Sequence, residues 1–374
     1  MLPQRSFRFE RPLILIQSDD WGRAGIRDDS AFSALRLAGL NLGERAYDFY
    51  SLETGDDLHA LRELLRRHRD STGRHACLSM NFVLANPDCE RMAQEAYRCL
   101  RLKPLADGLP GCWHRPGLFE AYKQGIEERL FSPALHGMTH FNAAAVMRAL
   151  DENAERGALL RSLWKTETSY IYWRMPWIGY EYWDPVCGFV ARAEQHKLVG
   201  EAVRLFGRMF SRDPVSACAP GYRANHDTQH AWEAHGIRVA QNGPGGIKSP
   251  CLDSGILQLG RTFDFEPAVD PNFSLEQCVR KAEHSVSAGR PVVISVHSIN
   301  FHSTLKDFRS ATLRSLDEFL SELERRYPNL LYVTDADMWH IVEEGCYLGE
   351  AGSVSVVARQ RMLHKKCMDV QVGA

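Results

Sequence analysis

Two adjacent carboxylates, Asp19 and Asp20, close the apolar run Leu13-Ile14-Leu15-Ile16-Gln17-Ser18. Such a run reads as a buried strand. Two like charges at its tip are costly unless a metal ion, an arginine or a catalytic task holds at least one of them as an anion. Successive strand residues face opposite ways, so past the strand end one carboxylate can ligate a metal while the other takes a proton. Asp-rich turns also serve as plain helix caps, and the pair therefore needs partners. His136 and His140 follow the apolar stretch Phe131–Leu135. Spaced i, i+4, they converge on one ion if the backbone turns helically. Gly137 stands where an H-E-x-x-H site carries its glutamate, which leaves the aspartate pair as the source of a base. The turn Ala219-Pro220-Gly221-Tyr222-Arg223 offers an arginine that can grip a carboxylate in bidentate fashion. Tyr222 there can donate to a developing oxyanion. Finally, the strand-like run from Pro291 ends at His297, placed to protonate a leaving group near neutral pH, with His302 as a nearby alternative. Each residue alone reads equally well as a cap, a surface group or a satisfied core histidine. Together they sit at the C-terminal ends of predicted strands, where barrel active sites form, and they point to a metal-dependent hydrolase.

Strands are predicted over 12–18, 76–83, 131–135, 215–219, 237–240, 256–259, 291–297 and 330–334. Helices are predicted over 56–69, 88–101, 117–129, 142–153, 190–210, 227–235, 274–288, 305–326 and 335–344, with Asp227, Ser274 and Asp335 as N-caps. This alternation implies parallel strands with crossover helices. The expectation is an α/β fold, a distorted (β/α)7-type barrel with an aromatic-rich insertion. An open doubly wound sheet competes, but its first strand is usually followed by a glycine-rich phosphate loop, and Asp-Asp-Trp-Gly-Arg is not one. One domain is expected over 1–350. Its insertion, 157–215, holds Trp164, Tyr170, Tyr172, Trp173, Trp177, Tyr180, Tyr182 and Trp183. That segment reads as a small aromatic core of its own and also as a lid or platform for stacking on sugar rings. The tail, 351–374, is expected as an edge strand, a homo-oligomer contact or an unstructured end.

The 374 residues are 44% hydrophobic with a formal net charge of -2. That balance gives no sign of a nucleic-acid partner, and no stretch approaches the roughly 18 apolar residues of a membrane span. The polar, basic start lacks a signal-peptide core. Ten cysteines without a C-x-x-C pair argue for reduced thiols. A cytoplasmic protein is the expectation.

The motifs, taken in order, resemble the polysaccharide deacetylase superfamily, carbohydrate esterases that include chitin and peptidoglycan deacetylases. An Asp-Asp pair after strand one, H-x-x-x-H, an Arg- and Pro-containing turn and a late strand-end His are matched by Asp19-Asp20, His136/His140, Pro220–Arg223 and His297. Asp-Asp-Trp-Gly, Ser-Leu-Glu-Thr at 51–54, Asn81-Phe82-Val83 and Leu-His-Gly at 135–137 resemble a divergent bacterial branch. The resemblance spans roughly residues 12–340 and implies a distorted barrel. It implies Asp19 as general base, Asp20, His136 and His140 as metal ligands, Arg223 as the tether of Asp19 and His297 as the acid. Trp21, Tyr222 and Asn81 would then lie at the substrate. Trp21 replaces a small residue of the family pattern, Arg223 follows its proline rather than preceding it, and the family's Asp-Trp motif has only Asp264 or Asp270 as stand-ins. The implied reaction removes an N-acyl group, acetyl first, from an amino sugar or sugar-containing small molecule. Zn2+ fits the mixed N/O ligands best, with cobalt, nickel or iron also suited. A glycoside hydrolase using Glu53 or Glu181 as second carboxylate, and a non-catalytic glycan-binding barrel, are the alternatives.

Overall fold

The computed structural model describes residues 5–362, apart from Ser254, Ala351 and Val357. Half of the predicted tail, 363–374, thus lies outside the described residues. All eight predicted strands form, as β1 Leu13–Trp21, β2 Leu78–Phe82, β3 Phe131–Leu135, β4 Ser216–Cys218, β5 Val239–Asn242, β6 Ile256–Gly260, β8 Val292–His297 and β9 Leu331–Tyr332. A ninth, the two-residue β7 Phe263–Asp264, was not anticipated. They belong to a twelve-stranded sheet in which β7, β8, β1, β2, β3, β4, β5 and β6 are neighbours in that order, every pair parallel. The two edges of this run are joined by Arg261-Thr262 alone, between Gly260 and Phe263. Thr262 is pinned to β8, its N–H donating to Val293 O at 2.6 Å and its hydroxyl accepting from Val293 N at 2.9 Å. The sheet therefore curls into a ring, a distorted (β/α)7-type barrel with β6 and β7 as one bent stave. Short β9 adds to the start of β1, Leu331 opposite Leu13. Beyond β6 the sheet runs on antiparallel through Cys251–Asp253, Arg5–Phe9 and Ala358–Met362.

The strands are buried on both faces, as parallel strands between helices and a core require. All nine positions of β1 are buried. Ile14, Ile16, Met80, Phe82, Ala217, Ile294 and Val296 pack outward in one core with the crossover helices α1 Gly55–Arg67, α2 Leu118–Glu127, α3 Arg192–Phe210, α4 His226–Ala234, α5 Leu275–Ser287 and α6 Arg309–Arg326. Leu13, Leu15, Val239, Leu257, Leu259 and Val293 form the lower interior. They are closed from below by Met338 and Ile341 of α7 Asp335–Glu344. Above them the interior turns polar: Gln17, Ser79, Asn81, Ser216, Gln241 and Ser295 are all buried.

Local departures from the predicted elements have physical causes. The predicted helix 88–101 stops at Gln94, because Ala96 (φ 54°) and Tyr97 (φ 55°) enter the left-handed region. Ser274 caps α5 as expected. The cap of α4 is Asn225, in a reciprocal box with Thr228, rather than Asp227. The cap of α7 is Thr334, boxed with Asp337, which frees Asp335 to point into the barrel. Helix Ala154–Lys165 runs into the aromatic-rich segment, whose Trp164, Tyr170, Ile171, Met175 and Ile178 form a second core with Ile26, Leu35, Met92 and Phe141.

Gly260 sets how closely the loop after β5 approaches the ring. A Cβ there would lie 1.9 Å from Ile247 O, a backbone atom. Gly260→Ala is expected to destabilise the fold by about 1–3 kcal/mol through overpacking, measured by denaturant unfolding.

Candidate active site

β1 ends in a distortion that places both carboxylates. Its pairing with β2 shifts register between Ser18 and Trp21, and Asp20 takes a left-handed φ of 74°, a conformation aspartate tolerates better than most residues. The bulge breaks the alternation expected of a regular strand. Trp21 is thrown into the core, fully buried and stacked on Phe301 at 5.8 Å, so it is not the substrate contact the resemblance implied.

Asp19 is 2% exposed. Arg261 grips it in bidentate fashion, Nη2 to Oδ1 at 2.6 Å and Nη1 to Oδ2 at 2.7 Å. Asn81 Nδ2 donates to Oδ1 at 2.6 Å. Burial alone would favour the neutral acid, but the Arg261 guanidinium overrides it and holds Asp19 well below the usual carboxylate range. The tether is therefore Arg261, not Arg223. Arg223 lies over the Trp183 ring at 4.9 Å, at the end of a turn that swings it away from Asp19. Asn81 is wholly buried and positions Asp19 rather than touching substrate. Tyr222 lies under Arg261, ring centroid to Cζ 5.1 Å, and its hydroxyl accepts from Nη1 at 2.6 Å.

Asp335 supports Arg261 from below. Gln17 Nε2 and Gln241 Nε2 donate to its carboxylate at 2.7 and 3.0 Å. The same two amides turn their oxygens up to Arg261, at 3.1 and 3.2 Å.

Asp20, 3% exposed, takes the other partners. Its Oδ2 is 3.1 Å from Arg23 Nη2, while Oδ1 is 3.3 Å from His140 Nε2 and 3.7 Å from His136 Nε2. Burial opposes its charge, yet Arg23 and the histidines lower its pKa to about 2. The two histidines converge through a loop rather than the helical turn expected from their spacing. Gly137 (φ 77°) bends it, and a Cβ there would meet Glu181 Oε2 at 2.2 Å. Glu181 clamps the loop by accepting from Met138 N and Thr139 N at 2.8 and 3.1 Å. Burial lowers the pKa of both histidines, that of His140 to about 3, so they are neutral at pH 7.

The residues fit a divalent ion. One ligand atom each from Asp20, His136 and His140 lie within 4.8 Å of one another. Asp20 Oδ1 is buried without a hydrogen-bond partner, a state too costly to leave uncompensated. His136 Nδ1 lies 2.8 Å from Cys218 O, which fixes the tautomer and leaves Nε2 as the ligand. A second grouping, Asp19, His136 and Cys218, is equally compact, but Arg261 already grips both oxygens of Asp19 and burial keeps the Cys218 thiol protonated.

His297 faces Asp19 with Nε2 3.9 Å from Oδ2, and its Nδ1 is 2.6 Å from Glu266 Oε1. Burial would discharge the ring, but Glu266, itself held by Asn300, raises its pKa to about 9. Glu266, rather than Asp264 or Asp270, is the acidic partner of His297. His302 is buried against Tyr50, 3.4 Å from Glu53. Glu53 and Glu181 are both buried in structural roles, Glu53 accepting from Gly22 N at 2.8 Å. Neither is presented across an open site as a glycosidase would need.

No family model matches the chain, and no curated protein does. Solved structures do. A probable polysaccharide deacetylase from Pseudomonas aeruginosa PAO1 aligns over 90% of this chain and 92% of its own at 12% identity, TM-score 0.46. An allantoinase, PuuE, aligns over 90% and 92% at 9% identity, TM-score 0.46. A CE4 family pseudoenzyme from Bacillus anthracis aligns over 88% and 66% at 7% identity, TM-score 0.40. Likenesses this distant say nothing of activity, which rests on the geometry above.

Two outcomes test that geometry. Arg261→Lys, which loses the bidentate fork, is expected to lower kcat by about 10–100-fold, whereas Arg223→Ala leaves kcat close to wild type. Glu266→Gln removes the charge that keeps His297 protonated. A raised histidine pKa contributes stability and charge below the ordinary imidazole value, both lost as pH rises through about 9. In the variant the alkaline limb of the rate profile should therefore move to lower pH.

Proposed function

We propose that this chain is a metal-dependent hydrolase of the polysaccharide deacetylase type, removing an N-acyl group, acetyl first, from an amino sugar or sugar-containing metabolite. The observation that carries the reading is the division of labour between adjacent carboxylates: Asp19 is gripped at both oxygens by Arg261 and held by Asn81, while Asp20 keeps an unsatisfied oxygen toward two neutral histidines. Asp20, His136 and His140 would hold the ion. When bound, a zinc-like ion there supplies Lewis-acid polarisation of the acyl carbonyl and a more acidic water.

The chain's own groups do the rest. Asp19, fixed as an anion, accepts the proton of the attacking water. Its low pKa makes it a weak base, effective only toward an acidified water. His297, protonated at neutral pH through Glu266, faces Asp19 and donates to the departing nitrogen as the C–N bond breaks. Arg261 keeps Asp19 oriented, and Glu181 keeps the two histidines convergent. A partly exposed aromatic rim surrounds the centre. Tyr180 packs edge-on to His140 at 5.6 Å, Tyr47 edge-on to His297 at 6.4 Å, and Trp183 lies beside Tyr180. Flat faces of this kind suit stacking on a sugar ring, and the insertion that carries Tyr180 and Trp183 acts as the platform.

The test is metal content by elemental analysis together with acetate release from N-acetyl sugars, with and without chelator. About one ion per chain and chelator-sensitive release are expected, and His136→Ala should lose both. A metal-free, inert protein that still binds glycan after metal is restored would move the reading to a binding module.

A further inference from the structure

On the outer wall of the ring a cleft of about 510 Å³ opens between α5 and the loop after β5. Its lining is cationic. Arg280 and Lys281 come from α5, together with Gln277, His284 and Ser285. These positions follow the i, i+3, i+4, i+7, i+8 spacing of one helix face. Lys248 faces them from the loop, and Arg290 enters from the turn before β8. Arg280 is paired with the exposed Glu276. Among the described residues no carboxylate pairs with Lys248, Lys281 or Arg290, and the Arg290 Nε is buried with no hydrogen-bond partner. Lys248, Lys281 and Arg290 thus line one concavity without an anion, and a buried guanidinium nitrogen without an acceptor is costly. In a chain whose formal net charge is -2, this concentration of uncompensated cations around one concavity calls for an anion.

We propose that this cleft is a binding site for phosphate, carried as a mono- or diphosphate on a small organic molecule. Phosphate matches the chemistry best. Arg290 offers a planar fork for two oxygens, and Lys248 and Lys281 add point charges. The volume lies within the range of small-molecule pockets, roughly 300–1,000 Å³, and takes a diphosphate with a ring attached. Ile247 gives that ring an apolar contact. The loop also joins this cleft to the catalytic centre. A Cβ on Gly243 would sit 2.9 Å from the Tyr222 ring, and Tyr222 accepts from Arg261, whose own residue forms part of the cleft wall. The phosphate can belong to the substrate itself or to a separate effector.

Isothermal titration of the full chain with pyrophosphate, in a buffer free of other polyanions, tests the site without reference to catalysis. Saturable binding that weakens with salt is expected. Lys281→Glu and, separately, Arg290→Gln should each weaken it by about tenfold or more, while Lys123→Glu, an exposed lysine on α2, leaves it unchanged. Lys281 is exposed, so its reversal spares the fold even if Arg290→Gln does not. Absence of binding, or equal loss in all three variants, overturns the proposal. Pyrophosphate competition against a nucleotide-linked N-acetyl sugar but not the free sugar would assign the phosphate to the substrate. A change in kcat with either sugar would assign it to an effector.

Discussion

The buried pair of Asp19 and Arg261 governs the design of this barrel. Neither side chain is more than 3% exposed. An uncompensated charge at that depth costs about 3–5 kcal/mol when its partner is removed, so neither residue can exist there alone. The pair also leaves donors and acceptors to be satisfied, and the polar middle layer of the barrel does this. Gln17, Gln241, Ser295 and Tyr222 each take a hydrogen from Arg261, and Asn81 completes Asp19. Asp335 then accepts from the two amides beneath. Burial raises the Asp335 pKa, while the hydrogen bond from Gln17 and the charge of Arg261 oppose that shift.

Arg261 is also the residue at which the ring closes. β6 ends at Gly260 and β7 begins at Phe263, so the bend that joins the sheet edges is the bend that turns this guanidinium inward. Fold closure and charge placement are thus one event.

The fold was legible because each of its strands is an apolar run bounded by turn residues, and β1, β3 and β8 carry their chemical residues at their ends. Asp19, Asp20, His136, His140 and His297 were readable for the same reason, since polar groups at the tips of buried strands have few roles. Arg261 and Glu266 follow predicted strand 256–259 just as directly, and an arginine immediately after a buried run is the signal that could have found them. They were obscured because β7 is too short to register as a strand, so no strand end lay at Glu266. The resemblance to a known motif order also directed the tether to Arg223. Asp335 was read as a helix cap because a cap is the commoner role for an aspartate at a helix start, and Thr334 takes that role instead. The roles of Asn81 and Trp21 depend on the bulge at Asp20, which no local pattern announces.

That bulge explains how two adjacent carboxylates acquire different chemistry. On a regular strand they would face opposite sides, and one would be lost to the outer core. The left-handed Asp20 brings both to the same mouth, where their like charges must be separated by cations. Arg261 approaches Asp19 from the barrel axis, and Arg23 approaches Asp20 from the rim, braced between the rings of Tyr50 and Tyr170 at 3.7 and 5.1 Å. The two arginines differ in what they leave free. Arg261 occupies both oxygens of Asp19, so that carboxylate can only exchange a proton through a remaining lone pair. Arg23 engages a single oxygen of Asp20, and the other, facing two neutral imidazoles, is left to bind a cation. In the proposed reading, the difference between a base and a ligand is set by one contact, the bidentate grip that Asp20 lacks.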